Sequence, residues 1–393
     1  MRKFVSVILI TTILFSICAC ANVSSGDHEV DKHFINAVNN FSYDTAQALL
    51  KDKTDNFNYS PISLYYALAV AGSGASGETQ QQILHLLNVS SEKKLSAQSG
   101  ALYKLLYSDN KISKLKIANS LWLNENKRFN DPFVANAENH YHLATFSVDF
   151  SDKDTEKAMA EWISQNTNGT LTPNLEINPK QMLSIINTIY FCDEWVNNFN
   201  KELTRKEAFH AEKGDVEADF MNKTDTMDFV IGENYMRSAL DLKGDGQMIF
   251  ILPDEDVTVS DLLSSKHSMK TLFEDGKEHF GSVKWAIPKF GFYTQCSLKE
   301  TLNTMGMTNA FDAKADFTGI TKEKTSISEV LQQTQIAIDE NGVEASAFTK
   351  IDMYSAARSE ESAEMILNRP FIYGITSSNG TLIFVGVCNN PSV

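Results

Sequence analysis

Cysteine is scarce in this chain: five in 393 residues, two of which, Cys18 and Cys20, fall within the first twenty. The other three, Cys192, Cys296 and Cys388, are far apart and odd in number, which argues against a disulfide framework and against metal-ligand spacing. Isolated cysteines of this kind read as small buried hydrophobes. Proline and glycine form no linker tract, and there is no repeat or low-complexity segment, so residues 31–393 offer no place to divide them. Basic residues are outnumbered, 35 against 50, and the net charge of −15 disfavours a nucleic-acid partner. Beyond residue 17 no long apolar run occurs, so the chain after its leader is expected to be soluble.

Catalytic signatures are missing as well. There is no G-x-S-x-G elbow, no H-E-x-x-H and no P-loop. Pro253-Asp-Glu-Asp256 lacks the ligand spacing of a calcium loop. His140 and His142, two apart, do not face each other on a helix and make a poor metal pair. Gly72-Ser-Gly74-Ala-Ser-Gly77 matches G-x-G-x-x-G, but a helix pattern precedes it where a dinucleotide site needs a strand. A close helix–helix connection is expected instead. An enzyme, a cofactor and a metal are therefore not expected.

What is present starts at the N-terminus. Arg2-Lys3 and the apolar run Phe4–Ile17 form a charged region followed by a hydrophobic one, too short to span a bilayer comfortably. Ile17-Cys18-Ala19-Cys20 resembles a bacterial lipoprotein signal, which implies removal of residues 1–19 and lipidation of Cys20. Losing Arg2 and Lys3 takes the charge from −15 to −17. Residues 20–30 are a polar spacer behind the anchor. The expectation is an exported protein held on a bacterial membrane, periplasmic or at the cell surface, since acyl chains give durable attachment.

Along the chain, Val30–Leu50 has the apolar spacing of an amphipathic helix. Ser60-Pro61 starts another, because serine caps free N–H groups and proline suits a first turn. Further helices are expected over Glu78–Leu87, Asn136–His142, Lys157–Asn168 and Leu298–Met305. Leu115–Leu123 and Ala144–Phe150 read as strands. Met182–Phe191 is a continuous apolar run that reads as a strand buried on both faces, and Asn187 inside it must find polar partners. Hairpins are expected around Lys243–Gly246 and Asn379-Gly380. Helices dominate the first half and antiparallel strands the second, an α+β pattern.

One stretch conflicts with itself. Thr334–Ile338 alternates like a strand, Glu340-Asn341-Gly342 breaks it, and alternation resumes with Val343, Ala345, Ala347, Thr349, Ile351 and Met353 on one face. Yet this runs directly into Ser355–Glu364, which has the composition of an exposed loop. Either an ordinary strand precedes an irregular loop, or the loop is a strand in waiting.

The motifs carry a resemblance over nearly the whole mature chain. Asn56-x-x-x-Ser60-Pro-x-Ser63-Leu64, Asn187-x-Ile-Tyr-Phe191-x-x-x-Trp195-x-x-x-Phe199, Ile287-Pro-Lys-Phe290 and Asn368-Arg-Pro-Phe371 stand in order. Leu252-Pro-Asp-Glu255, Ala315–Ile320 and Glu340-Asn-Gly-Val-Glu-Ala-Ser-Ala-Phe-Thr349 join them. Together they resemble the serpins. The resemblance implies a single domain over 31–393, three β-sheets with eight or nine helices, and an exposed reactive-centre loop at about 340–364. It implies a monomer that inhibits a serine endopeptidase as a suicide substrate, and it leaves a cysteine endopeptidase open as a further target. The protease cuts the loop, forms an acyl-enzyme, and is trapped when the loop inserts into the large sheet.

On this resemblance the hinge is Glu340, Gly342, Val343, Ala345, Ala347 and Thr349, and sheet opening involves Ser60, Ser63, Asn187, Gln332, Trp195 and Lys289. Gln332 stands where the family often has His, Cys192-Asp193 where it usually has Lys-Gly, and Phe348 is large but outward-facing. Counting from Gly342 places the cleaved bond at Ala356-Ala357, implying an elastase-like target. Counting back from Pro370 shifts it as far as Arg358-Ser359 and a trypsin-like one. Met353 and Tyr354 leave chymotrypsin-like or papain-like cleavage open.

Overall fold

A computed structural model describes residues 30–264, 268–344 and 361–392. The first half runs α1 (Lys32–Leu50), β1 (Phe57–Tyr59), α2 (Pro61–Gly74), α3 (Gly77–Leu86), α4 (Glu92–Leu106), β2 (Ser108–Asp109), β3 (Lys114–Asn124), α5 (Asp131–Tyr141), β4 (Leu143–Val148), α6 (Lys153–Asn166) and β5 (Leu183–Glu194). The second is mostly strand: β6 (Arg205–Ala211), β7 (Gly214–Ile231), β8 (Tyr235–Asp241), β9 (Gln247–Pro253), α7 (Val259–Ser264), α8 (Met269–Glu274), β10 (Glu278–Pro288), β11 (Phe290–Ser297), α9 (Lys299–Thr304), β12 (Leu331–Ile338), β13 (Gly342–Val343), β14 (Ser362–Ile366), β15 (Phe371–Thr376) and β16 (Leu382–Cys388). Among the described residues the strands join into two hydrogen-bonded networks. A seven-stranded sheet has the order β11-β12-β13-β5-β3-β2 with β4 alongside β3. A nine-stranded network runs β1-β16-β15-β9-β8-β7-β10-β14 with β6 alongside β7. The 18-residue strand β7 serves both of its arms, pairing with β6 and β10 along most of its length and with β8 only at its end.

Helix α2 runs through the core and is apolar all round, as a fully surrounded helix must be. Ile62, Tyr65, Tyr66, Ala69 and Val70 are fully buried. Its start is set locally: Pro61 occupies the first turn and the Ser60 hydroxyl accepts from the Ser63 amide. Its end is set by packing. A Cβ on Gly74 would lie 2.2 Å from Ile320 Cγ1, so the glycine string is a close-approach connection into α3. Helix α4, for which the motif reading gave no element, is visible afterwards in Leu95, Leu102 and Leu106, buried at helical spacing.

Strand β5 departs from the expectation of burial on both faces. Leu183–Asn187 are only half-buried. The reason lies in its neighbours. Strand β3 pairs with β5 from Leu183 to Cys192 on one side, whereas β13 meets it on the other only at Asp193 and Glu194.

Candidate functional site

Strands β5 and β12 are both antiparallel to β13, and hence parallel to each other. Only the two-residue β13 bridges them: Val343 pairs with Ile338 of β12 and with Asp193 of β5. Below that bridge, among the described residues, the facing edges of β5 and β12 have no ladder partner. This is a slot one strand wide, closed at its top by the start of the hinge.

Two groups of the sequence-selected residues lie around the slot, one at its floor and one at its top. Beneath it sits the N-terminus of α2. The Gln332 side chain, from β12, accepts from the Ser60 amide and donates to the Ser60 carbonyl, both at 2.9 Å. Ser60 Oγ donates to Ile383 O at 2.9 Å. From the next turn Ser63 Oγ donates to Asn187 Oδ1 on β5, and Asn187 Nδ2 donates to Asn119 Oδ1 on β3. Asn119 Nδ2 then reaches Tyr141 O at 3.0 Å. A chain of uncharged hydrogen bonds thus crosses from α2 through β5 to β3, while Gln332 ties β12 to the same helix start. Asn119 is missed by the motif reading, although a buried amide opposite Asn187 is what that residue requires.

Trp195 and Lys289 are not part of this floor cluster; they lie at the top. Fully buried Trp195 donates from Nε1 to Asp339 O at 2.9 Å, and its amide donates to Asn341 O. The buried Glu340 carboxylate accepts from Thr204 Oγ1 at 2.9 Å and meets Lys289 Nζ at 3.2 Å. Burial raises the Glu340 pKa, but its own amide, Thr204 and Lys289 outweigh that and leave it below the usual carboxylate range. Gly342 follows, with no room for a side chain: a Cβ there would sit 2.1 Å from Asp193 O. Val343 is buried on the inward face.

Asp193 is a further residue of the top that the motif reading noted only as a departure. Its carboxylate accepts from Ser113 Oγ at 2.9 Å and from the amides of Glu194 and Gly244. It thereby joins β5 to the β8–β9 turn and to the turn before β3. Burial pushes its carboxyl up to about 6 despite those donors.

A capped helix start, a slot between parallel strands and the residues Gly342 and Val343 at its top make up the site. The sequence model of one family, Serpin (serine protease inhibitor), matches residues 36–391.

The chain belongs to the serpins.

The family's members are generally protease inhibitors rather than catalysts. An uncharacterized serpin-like protein of Methanosarcina acetivorans is 30% identical, the match covering 92% of this chain and 87% of the relative. Human Serpin B4 is 29% identical over 89% and 97%. The native-state crystal structure of the thermophilic serpin tengpin superposes with a TM-score of 0.83 at 30% identity, over 92% and 95%. In this serpin the remaining predicted positions, Cys20, Ala345, Ala347, Thr349, Ala356, Ala357, Arg358 and Ser359, lie outside the described residues. The chain resumes in β14, which runs parallel to β10 with Ser362 opposite Ser282.

Proposed function

We propose that this serpin inhibits an elastase-like serine endopeptidase as a suicide substrate, with Ala356-Ala357 as the bait, and that it acts while lipid-anchored at Cys20. The slot carries the reading: Gly342 and Val343 already occupy its top, and the segment behind them has strand alternation with a small inward face. Filling the slot with about a dozen residues adds ladder hydrogen bonds at ~0.5–1.5 kcal/mol each, of order 10 kcal/mol, comparable with a domain's whole stability. In the uncut chain the tether to β14 opposes that gain, and cleavage removes the tether. The protease esterified to the loop's new end is carried along and distorted before it can deacylate.

Incubation with pancreatic elastase, subtilisin, trypsin and papain tests this. A covalent complex surviving denaturing electrophoresis is expected with elastase, the cut mapping by mass spectrometry to Ala356-Ala357. A cut at Arg358-Ser359 with a trypsin complex would replace the target class. Clean cleavage by all four proteases without any complex would sink the inhibitor reading. Radiolabelled fatty acid incorporated into the wild type but not into a Cys20→Ser variant would support the anchor.

A further inference from the structure

Glu344 is the last hinge residue described, and it is held in an unusual way. Its backbone is in the left-handed region, φ +51°, where a non-glycine residue is strained. The strain is offset by two contacts: its amide donates to Ala337 O of β12 at 2.8 Å, and its carbonyl accepts from Cys192 Sγ of β5 at 3.2 Å. Further insertion would have to straighten the backbone at this residue. The side chain is half-buried there, and no ion pair reaches it among the described residues.

Among the described residues, the titratable groups around it do not supply a counter-charge. Tyr190 and Cys192 of β5 are its neighbours, and burial raises both, Tyr190 to about 12, so neither is ionised at neutral pH. Lys114 of β3 pairs across from Cys192 and acts on that thiol, and Asp193 beyond it is engaged with Ser113 and Gly244. Burial alone therefore governs Glu344 and pushes its carboxyl up to about 7.

We propose that Glu344 is a proton-operated latch on the hinge: neutral, it lets Gly342 and Val343 stay docked between β5 and β12 and admits the residues behind them; ionised, it draws the hinge out toward water. The sign follows from the raised value. Docking is unpenalised below the ordinary glutamate value of 4.5, becomes costlier as pH rises through about 7, and carries its full penalty above that. Mild acid favours a docked hinge; mild alkali favours a released one. This deepens the insertion reading and rests on it for its functional meaning, but the docking equilibrium exists without any protease.

Hydrogen exchange of the peptide holding Gly342, Val343 and Glu344, in the wild type and a Glu344→Gln variant at matched pH, tests the latch, because matching cancels intrinsic exchange. At pH 4, below the ordinary glutamate value, the two should exchange alike. At pH 8 the wild-type hinge should exchange at least about five-fold faster, a conservative fraction of what the shift allows for a half-buried group. A peptide from β16 should stay equal in both, showing the fold intact, and Glu344→Ala should follow Glu344→Gln. An unchanged ratio between pH 4 and 8 overturns the proposal. A shifted ratio without covalent complexes upholds the latch and removes the inhibitor reading; complexes with a flat ratio do the reverse.

Discussion

The Gln332 side-chain amide closes on the backbone of Ser60 from both sides, donating to its carbonyl and accepting from its amide at 2.9 Å each. A glutamine fits because it carries a donor and an acceptor at one fixed spacing, and neither changes with pH. The Ser60 carbonyl also takes the Leu64 amide, so the Ser60 amide is the group that depends on Gln332.

Gln332→Ala should leave that buried amide unmet at a cost of about 1–3 kcal/mol, read as a lower midpoint of urea unfolding. Gln332→His should create a pH dependence the wild-type cluster lacks. Protonating the imidazole removes the acceptor for the Ser60 amide, so stability should fall as pH drops through about 6.5. A His variant whose unfolding midpoint is flat from pH 5 to 8 would show that the acceptor is not what matters.

Val343 is buried between β5 and β12, and Val343→Arg would force a long charged side chain into that buried position. On the proposed mechanism the variant is cut by the same proteases at the same bond but yields cleaved product instead of covalent complex. Measured stoichiometry of inhibition should rise about ten-fold or more for a penalty of ~1.4 kcal/mol or above. Unchanged complex yield would contradict insertion through this slot.

Asp193 should set a pH step in stability. Its carboxyl is raised to about 6 in the fold from 3.8, so the native state binds the proton more tightly than the unfolded chain does. The stabilisation is complete below 3.8 and disappears as pH rises through 6. Asp193→Asn can keep the bonds to Ser113 and Gly244 without the buried charge. It should be more stable than wild type at pH 8 by about 2 kcal/mol and should flatten the profile between pH 4 and 7. Parallel pH profiles for the two proteins would refute this.

Lys289→Met should leave the Glu340 carboxylate buried with only Thr204 and its own amide. Because Lys289 is more than one-third exposed while Glu340 is not, the expected loss is about 1–2 kcal/mol, between a surface pair and a buried one. The top of the slot should open more readily. Faster conversion to a heat-resistant, non-inhibitory form on mild warming is expected, followed by the loss of complex-forming activity over time.

Local chemistry made much of the site legible beforehand. Ser60-Pro61 announces a helix start wherever it sits, and the break at Gly342 between two alternating runs needs no tertiary information. The amide at Asn187 demanded a polar partner, but which one depended on the register that sets Asn119 directly opposite it. The position of Trp195 and Lys289 at the top of the slot, away from the floor cluster, could not be read from their order in the chain either.

The sequence by itself determined the α+β class, the alternation of small residues after Gly342, and the membership in a family, because these rest on periodicity, caps and motifs carried within short windows. The tertiary structure alone decided that β5 and β12 lie parallel with a two-residue strand between them, that Leu183–Asn187 are half-buried in an apolar run, and that Asp193 and Glu344 sit where burial raises their carboxyls. Those facts arise from contacts between segments far apart in the chain, and burial is a property of the neighbours a residue acquires, not of the residue.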